Sequence, residues 1–328
     1  MQRERRVLAA ALCSATALIL GRLALRRLRS RLAGEPLLVM SFGCVCLTAR
    51  SLGTAGARTF AGPLDWIFSN PAIAAHIVGS GGEALLDRDE YFRVATGKVG
   101  HRTYSPLLTS GPKGQNRHGA VFNHHDPITS MEDRAYLRRC VSRMNAALTS
   151  PLPKLCALIS LEKRGPVSDG DLDTLLAVLE QRCRPSRVEL VAIKLFTPPH
   201  GYSLPSEGPP GVGDARQINS RRVTRREESM RNATLRVVEL WCRGGLGPSA
   251  LALTDPADRQ DLLAAIFGDR ATFDTRGMLV TPVLAPDPLG GMAGHRVGVA
   301  VGDNPHPQGA GRIGKFRTDG YMVRRVNS

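Results

Sequence analysis

Lysine is scarce in this chain: six of its 44 basic residues are Lys and the other 38 are Arg. With Ala, Gly and Pro abundant, that bias reflects GC-rich coding more simply than phosphate recognition, and nucleic acid is not expected among the partners. Aromatics make up only 5%, but hydrophobic residues at 42% and charged residues at 22% describe an ordinary globular protein. A collagen-like, wholly disordered or multi-span membrane chain is thereby excluded. There is no internal repeat and no phosphate-binding loop. Gly79-Ser80-Gly81-Gly82 lacks the following Lys-Ser/Thr and does not follow a strand, and Gly290-Gly291 sits near the end of the chain. Seven cysteines, an odd number without repeated spacing, do not make a disulfide framework in 328 residues. The close pair Cys44-Val45-Cys46 lacks the second ligand pair of a zinc ribbon, so neither a metal nor a cofactor is expected.

The net charge is +15, and three stretches hold 14 of it: residues 1–35 at +6, 216–231 at +4 and 312–328 at +4. In the first, Arg3, Arg5 and Arg6 precede an apolar run from Val7 to Leu20, and Arg22, Arg26, Arg27, Arg29 and Arg31 follow. No small-x-small cleavage site stands after the run. Residues 1–35 therefore read as an uncleaved membrane anchor through residues 7–25 or as an organelle transit segment.

The body alternates strand and helix. Leu37 to Ser41 is a short apolar strand, Gly43 a turn, and Cys46 to Leu52 a helix. A helix from Pro71 to Val78 is capped by Asn70. Residues 97–119 read as a loop, Ala120 to Phe122 as a strand, and Ser130 to Leu148 as a helix with a capping signal at Ser130 and Asp133. Strands follow at 155–161, 188–196 and 235–241. An amphipathic helix over 169–183 buries Leu172, Leu175, Leu176 and Leu179, and a last helix covers 258–267. The expected fold is a single α/β domain over residues 36–270, with a mainly parallel sheet flanked by helices, Rossmann-like or papain-like in variant. Residues 197–231 read as a flexible loop within it. Residues 271–328 read as a Gly/Pro/Arg-rich tail, with at most a short strand at 278–283.

Ligands in such sheets gather beyond the carboxyl ends of the strands. Two of those ends carry reactive groups. Ser41-Phe42-Gly43-Cys44-Val45-Cys46 places Cys46 at the start of a helix, where backbone N–H groups favour a thiolate. Asn123-His124-His125-Asp126 offers imidazoles to serve as general base. Adjacent side chains on an extended segment point to opposite faces, so one histidine at most enters a given site. Between these segments, Pro63-Leu64-Asp65-Trp66 supplies a carboxylate able to orient a histidine beside an aromatic wall.

At these residues the chain resembles an uncharacterised family described as papain-like cysteine peptidases. The similarity rests on the 41–46 turn, the run Leu52-Gly53-Thr54-Ala55-Gly56-Ala57-Arg58, Pro63-Leu64-Asp65-Trp66-Ile67, Phe122-Asn123-His124-His125-Asp126 and the basic helix at Tyr136-Leu137-Arg138-Arg139. It spans residues 37–196, and fades toward 268. The resemblance implies Cys46 as nucleophile with His124 or His125 as base. Met40 stands six residues before Cys46, where the papain group carries a Gln, and the third role falls to Asp65 or Asp126 or is missing.

The function expected is a thiol-dependent hydrolase acting on a peptide or other amide, with Ser41, Gly43, Trp66, Asp126, Arg138 and Arg139 binding substrate around Cys46, His124, His125 and Asp65. Two alternatives stand beside it. One is an α/β transferase whose Asp65, histidines and Arg138/Arg139 bind an anionic sugar or nucleotide, with Cys46 structural. The other is a non-catalytic binding protein on the same fold.

Overall fold

The structure, a computed structural model, describes residues 36–109, 119–162, 167–197, 222–246, 253–274, 279–280 and 284–289. The anchor or transit segment 1–35, with its apolar run, and residues 290–328 lie outside the described residues. Among the described residues no helix is long and apolar enough to cross a membrane.

The fold is mixed α/β, built on a mainly parallel five-stranded sheet flanked by helices. Strands β1 (Leu38–Ser41), β5 (Lys154–Leu161), β6 (Val188–Phe196) and β8 (Ala233–Trp241) lie parallel in that spatial order. Strand β7 (Arg222–Ser229) closes the far edge antiparallel to β8. All eight positions of β5 are buried, as a strand covered on both faces requires. Alternate residues of the strands feed two cores. Leu38, Met40, Cys156 and Leu158 point to one, covered by α2 (Pro71–Gly79), the short α3 (Glu83–Leu86), α5 (Met131–Thr149) and α6 (Asp169–Arg182). Val39, Leu155, Ala157 and Ile159 point to the other, under α1 (Leu47–Thr54) and α7 (Pro256–Phe267).

The helix starts follow the capping signals. Asn70 accepts from the Ile73 amide ahead of Pro71, and Ser130 accepts from the Asp133 amide, each such cap contributing about 1 kcal/mol. In α6, Leu172, Leu175, Leu176 and Leu179 are all buried.

Three segments differ from the sequence expectation. The loop assigned to 97–119 contains β3 (Val99–His101) and α4 (Ser105–Thr109), while residues 110–118 lie outside the described residues. Strand β3 joins β2 (Tyr91–Arg93) and β4 (Ala120–Phe122) in a small antiparallel sheet. Strands of three residues are too short to show a period, and this one is defined by its partners. Gly100 is needed there, because a Cβ would meet Phe92 Cζ at 2.7 Å and Ser105 Oγ at 2.9 Å. The second difference is β7, which occupies part of the loop assigned to 197–231. Thr224, Glu227, Glu228 and Ser229 are exposed, and the strand is defined by its pairing with β8. Third, the start of the assigned tail is docked: Leu284 bridges Leu37 beside β1, the Ala285 amide donates to the Leu37 carbonyl, and Arg143 of α5 holds Asp287 at 3.0 Å.

Candidate functional site

Strand β1 ends at Ser41, and the next five residues turn the chain into α1. Gly43 makes the turn possible. A Cβ there would overlap Thr48 Oγ1, lie 2.6 Å from Thr48 Cβ and stand 2.8 Å from the Val45 carbonyl. Thr48 in turn accepts from the Ile159 amide, which seats α1 on the sheet. Cys46 is the N-cap residue of α1 and provides no side-chain cap.

Residues 65–70 link this turn to β4. The Phe68 amide donates to the Val121 carbonyl and Ile67 bridges Phe122, so the segment runs beside β4. The Ser69 amide donates to the Cys44 carbonyl, and the Ser69 hydroxyl donates to the Gly43 carbonyl at 2.6 Å. This strut sets the distance between the end of β1 and the end of β4. Cys46 Sγ consequently lies 3.9 Å from His124 Nε2, although 78 residues separate them in sequence. Trp66, on the same strut, meets the His124 ring edge-on at 5.7 Å.

A second donor approaches the same nitrogen. Asn123 Nδ2 is 3.1 Å from His124 Nε2, and the Asn123 side-chain oxygen Oδ1 accepts from Lys98 Nζ. Lys98 thus determines which end of the amide faces the imidazole. Burial pushes the Cys46 thiol up, outweighing its own backbone N–H and the Arg50 guanidinium, which pull it down. The thiolate expected from the helix start is therefore not favoured in this buried position: an N-terminus of one short helix repays less than desolvation removes. His124 is exposed, yet desolvation of its packed side lowers its imidazole below the usual 6.5, assisted by the neighbouring His125 and Lys98. Both shifts favour the uncharged pair, thiol and neutral imidazole.

His125 faces inward. Its ring is buried, stacks on Tyr136 at 4.8 Å, and pairs through Nδ1 with Asp133 Oδ1 at 3.0 Å. The other Asp133 oxygen accepts from the Asp126 amide at 2.7 Å, so this α5 residue pins the whole 124–126 segment. Asp65 is likewise directed into the protein. It is fully buried, with Oδ2 bonded to Arg58 at 2.6 Å and to the Gly62 amide at 2.9 Å, and no hydrogen bond joins it to either histidine. Desolvation pushes its carboxyl up to about 6 against the opposing pull of Arg58, the Gly62 amide and Ser41. Asp126 is taken up by Arg93 at 2.6 Å and by Thr129.

The structure thus brings together Cys46, His124 and Trp66, with Gly43 shaping the turn. It sets Ser41, Asp65 and His125 in a buried layer behind them. Arg138 and Arg139 are exposed on α5, outside the group of side chains joined to Cys46. The sequence pattern alone does not mark Asn123, Lys98, Arg50 or Asp133 as site residues. Asn123 is marked in the sequence by its place beside the histidines, and Asp133 by its place in the first turn after the Ser130 cap. Among the described residues no group of three or more His, Cys, Asp or Glu is placed to hold a metal ion. Comparison with protein-family models, curated proteins and solved structures finds no match.

Proposed function

We propose that the protein is a thiol-dependent hydrolase of amide or ester bonds, with Cys46 as nucleophile and His124 as general base. The observation that carries this reading is the 3.9 Å approach of Cys46 Sγ to His124 Nε2 at the mouth of two strand ends. His124 Nε2 takes the thiol proton as sulfur attacks the acyl carbon, then returns it to the leaving amine or alkoxide. Water, deprotonated by the same imidazole, cleaves the resulting thioester. The backbone N–H groups at the start of α1 have no side-chain cap and are the available oxyanion donors. Trp66 walls the imidazole. The parallel direction of β1, β5, β6 and β8 supports a Rossmann-like variant in strand direction alone, since these strands lie in chain order without the reversal of a doubly wound sheet. The papain-like element is a cysteine at a helix start facing a histidine from a separate antiparallel sheet, in keeping with the family resemblance.

The test is an activated ester such as p-nitrophenyl acetate, with site-resolved mass spectrometry of the full chain. A burst of p-nitrophenol with the acetyl group on Cys46, absent in Cys46→Ala and slowed in His124→Ala, is the expected result. Equal release by wild type and Cys46→Ala, or acetylation spread evenly over the cysteines, overturns it.

A further inference from the structure

Among the described residues, two cations stand beside the Cys46–His124 pair: Arg50, whose amide donates to the Cys46 carbonyl, and Lys98, joined to His124 through Asn123. Arg50 lies one helical turn after Cys46 on α1, is exposed, and among the described residues makes no ion pair. Its field reaches the Cys46 sulfur. Lys98 comes from the other side of the pairing, the β2–β3 turn. It is exposed, bonds Asn123, and its charge reaches the His124 ring. The nearest acid in sequence to His124 is Asp126, whose charge is engaged by Arg93 at 2.6 Å. The two deeper acids, Asp65 and Asp133, are bound to Arg58 and to His125 respectively. Among the described residues the exposed rim of the pair is therefore electropositive, with no carboxylate paired to Arg50 or Lys98 and the neutral Asn123 amide the partner of Lys98.

We propose that Arg50 and Lys98 select acyl substrates that carry a carboxylate close to the reacting carbonyl. This rests on Cys46 being the nucleophile. A carboxylate one or two bonds from the acyl carbon would sit between the two cations while the carbonyl faces sulfur. Arg50 offers a planar fork suited to bidentate contact, whereas Lys98 acts as a point charge that already orients Asn123. Neither residue takes part in bond making.

Iodoacetate and iodoacetamide provide the test, since they differ by one charge next to the same reacting carbon. Each forms a C–S bond as the C–I bond breaks, releasing iodide while the thiol proton passes to His124. Rates at Cys46 are read by site-resolved mass spectrometry on the full chain. The ratio of iodoacetate to iodoacetamide is divided by that for glutathione, which cancels any change in reagent reactivity or in thiolate fraction. Two unit charges at roughly 8 Å in a water-like dielectric raise this normalised ratio about fivefold at low salt. The excess should vanish at about 0.5 M salt, where screening reaches only a few ångströms. Arg50→Gln should remove about half of it, and Arg50→Gln with Lys98→Gln nearly all. A wild-type ratio equal to that of glutathione, or one unchanged in the double variant, overturns the charge selection while leaving the nucleophile intact. Failure of both reagents to label Cys46 overturns the nucleophile, and the selection with it.

Discussion

Asp65 is a fully buried carboxyl whose ionisation the fold penalises, and replacing it with Asn isolates that penalty. Its carboxyl sits at about 6 instead of 3.8, because burial outweighs the opposing pull of Arg58, the Gly62 amide and Ser41. At about 1.4 kcal/mol for each tenfold change in proton affinity, the ionised form is disfavoured on folding by about 3 kcal/mol. The sign follows from linkage. Below 3.8 the carboxyl is protonated in both states; above about 6 it is ionised in both; between the two the folded chain holds the proton longer. The contribution of this group to stability is therefore greatest at low pH and is lost as pH rises through that window. Urea unfolding of wild type and Asp65→Asn over a pH series, followed by circular dichroism, reads it directly. The stability of wild type relative to Asp65→Asn should fall by about 3 kcal/mol between the two ends of the window. A difference that stays flat or that rises with pH refutes the reasoning: a flat one means that Arg58 just offsets burial of the charge, a rising one that it over-compensates. The same variant separates two roles. If Asp65 supports Trp66 from behind, Cys46 labelling changes little; a large drop in labelling with stability intact would make it a partner of the imidazole.

Gly43→Ala should destabilise by about 1–3 kcal/mol through overpacking and slow Cys46 labelling, because the methyl group displaces Thr48 and meets the Val45 carbonyl; adding Thr48→Ala should recover only part, and full recovery would show that the carbonyl contact is immaterial. His125→Ala should cost about 2–4 kcal/mol, since it empties a buried site and strips Asp133 of its imidazole partner, whereas His124→Ala should leave thermal stability near wild type and slow ester turnover; the reverse pattern in melting and kinetics would exchange their roles. Asn123→Ala should speed Cys46 labelling at neutral pH, because it removes a donor that competes with the thiol for His124 Nε2; slower labelling would make Asn123 a positioning residue. Turnover should rise with pH through an acid limb whose midpoint lies below 6.5, since His124 must be neutral to accept the thiol proton and its imidazole is held below that value; a limb above 6.5 would contradict the environment found around the ring.

Much of the fold was legible in the sequence because long elements advertise their period. The apolar run over β5, the leucine spacing of α6 and the caps at Asn70 and Ser130 are local properties, set by which residues lie two, three or four positions apart. Gly43 followed by Cys46 marked the turn at the end of β1 for the same reason. The tertiary structure alone decided the rest. Strands β2, β3 and β7 exist through their partners, and no local pattern encodes a partner. Residues 123, 124 and 125 are consecutive, yet one amide, one exposed imidazole and one buried imidazole emerge according to what lies across from each: Lys98, Cys46 and Asp133. The charge state of Cys46 reversed for the same cause. A helix start favours thiolate in the abstract, but the protein packed around the sulfur makes charge expensive, and burial is a property of the assembled molecule that spacing along the chain does not carry.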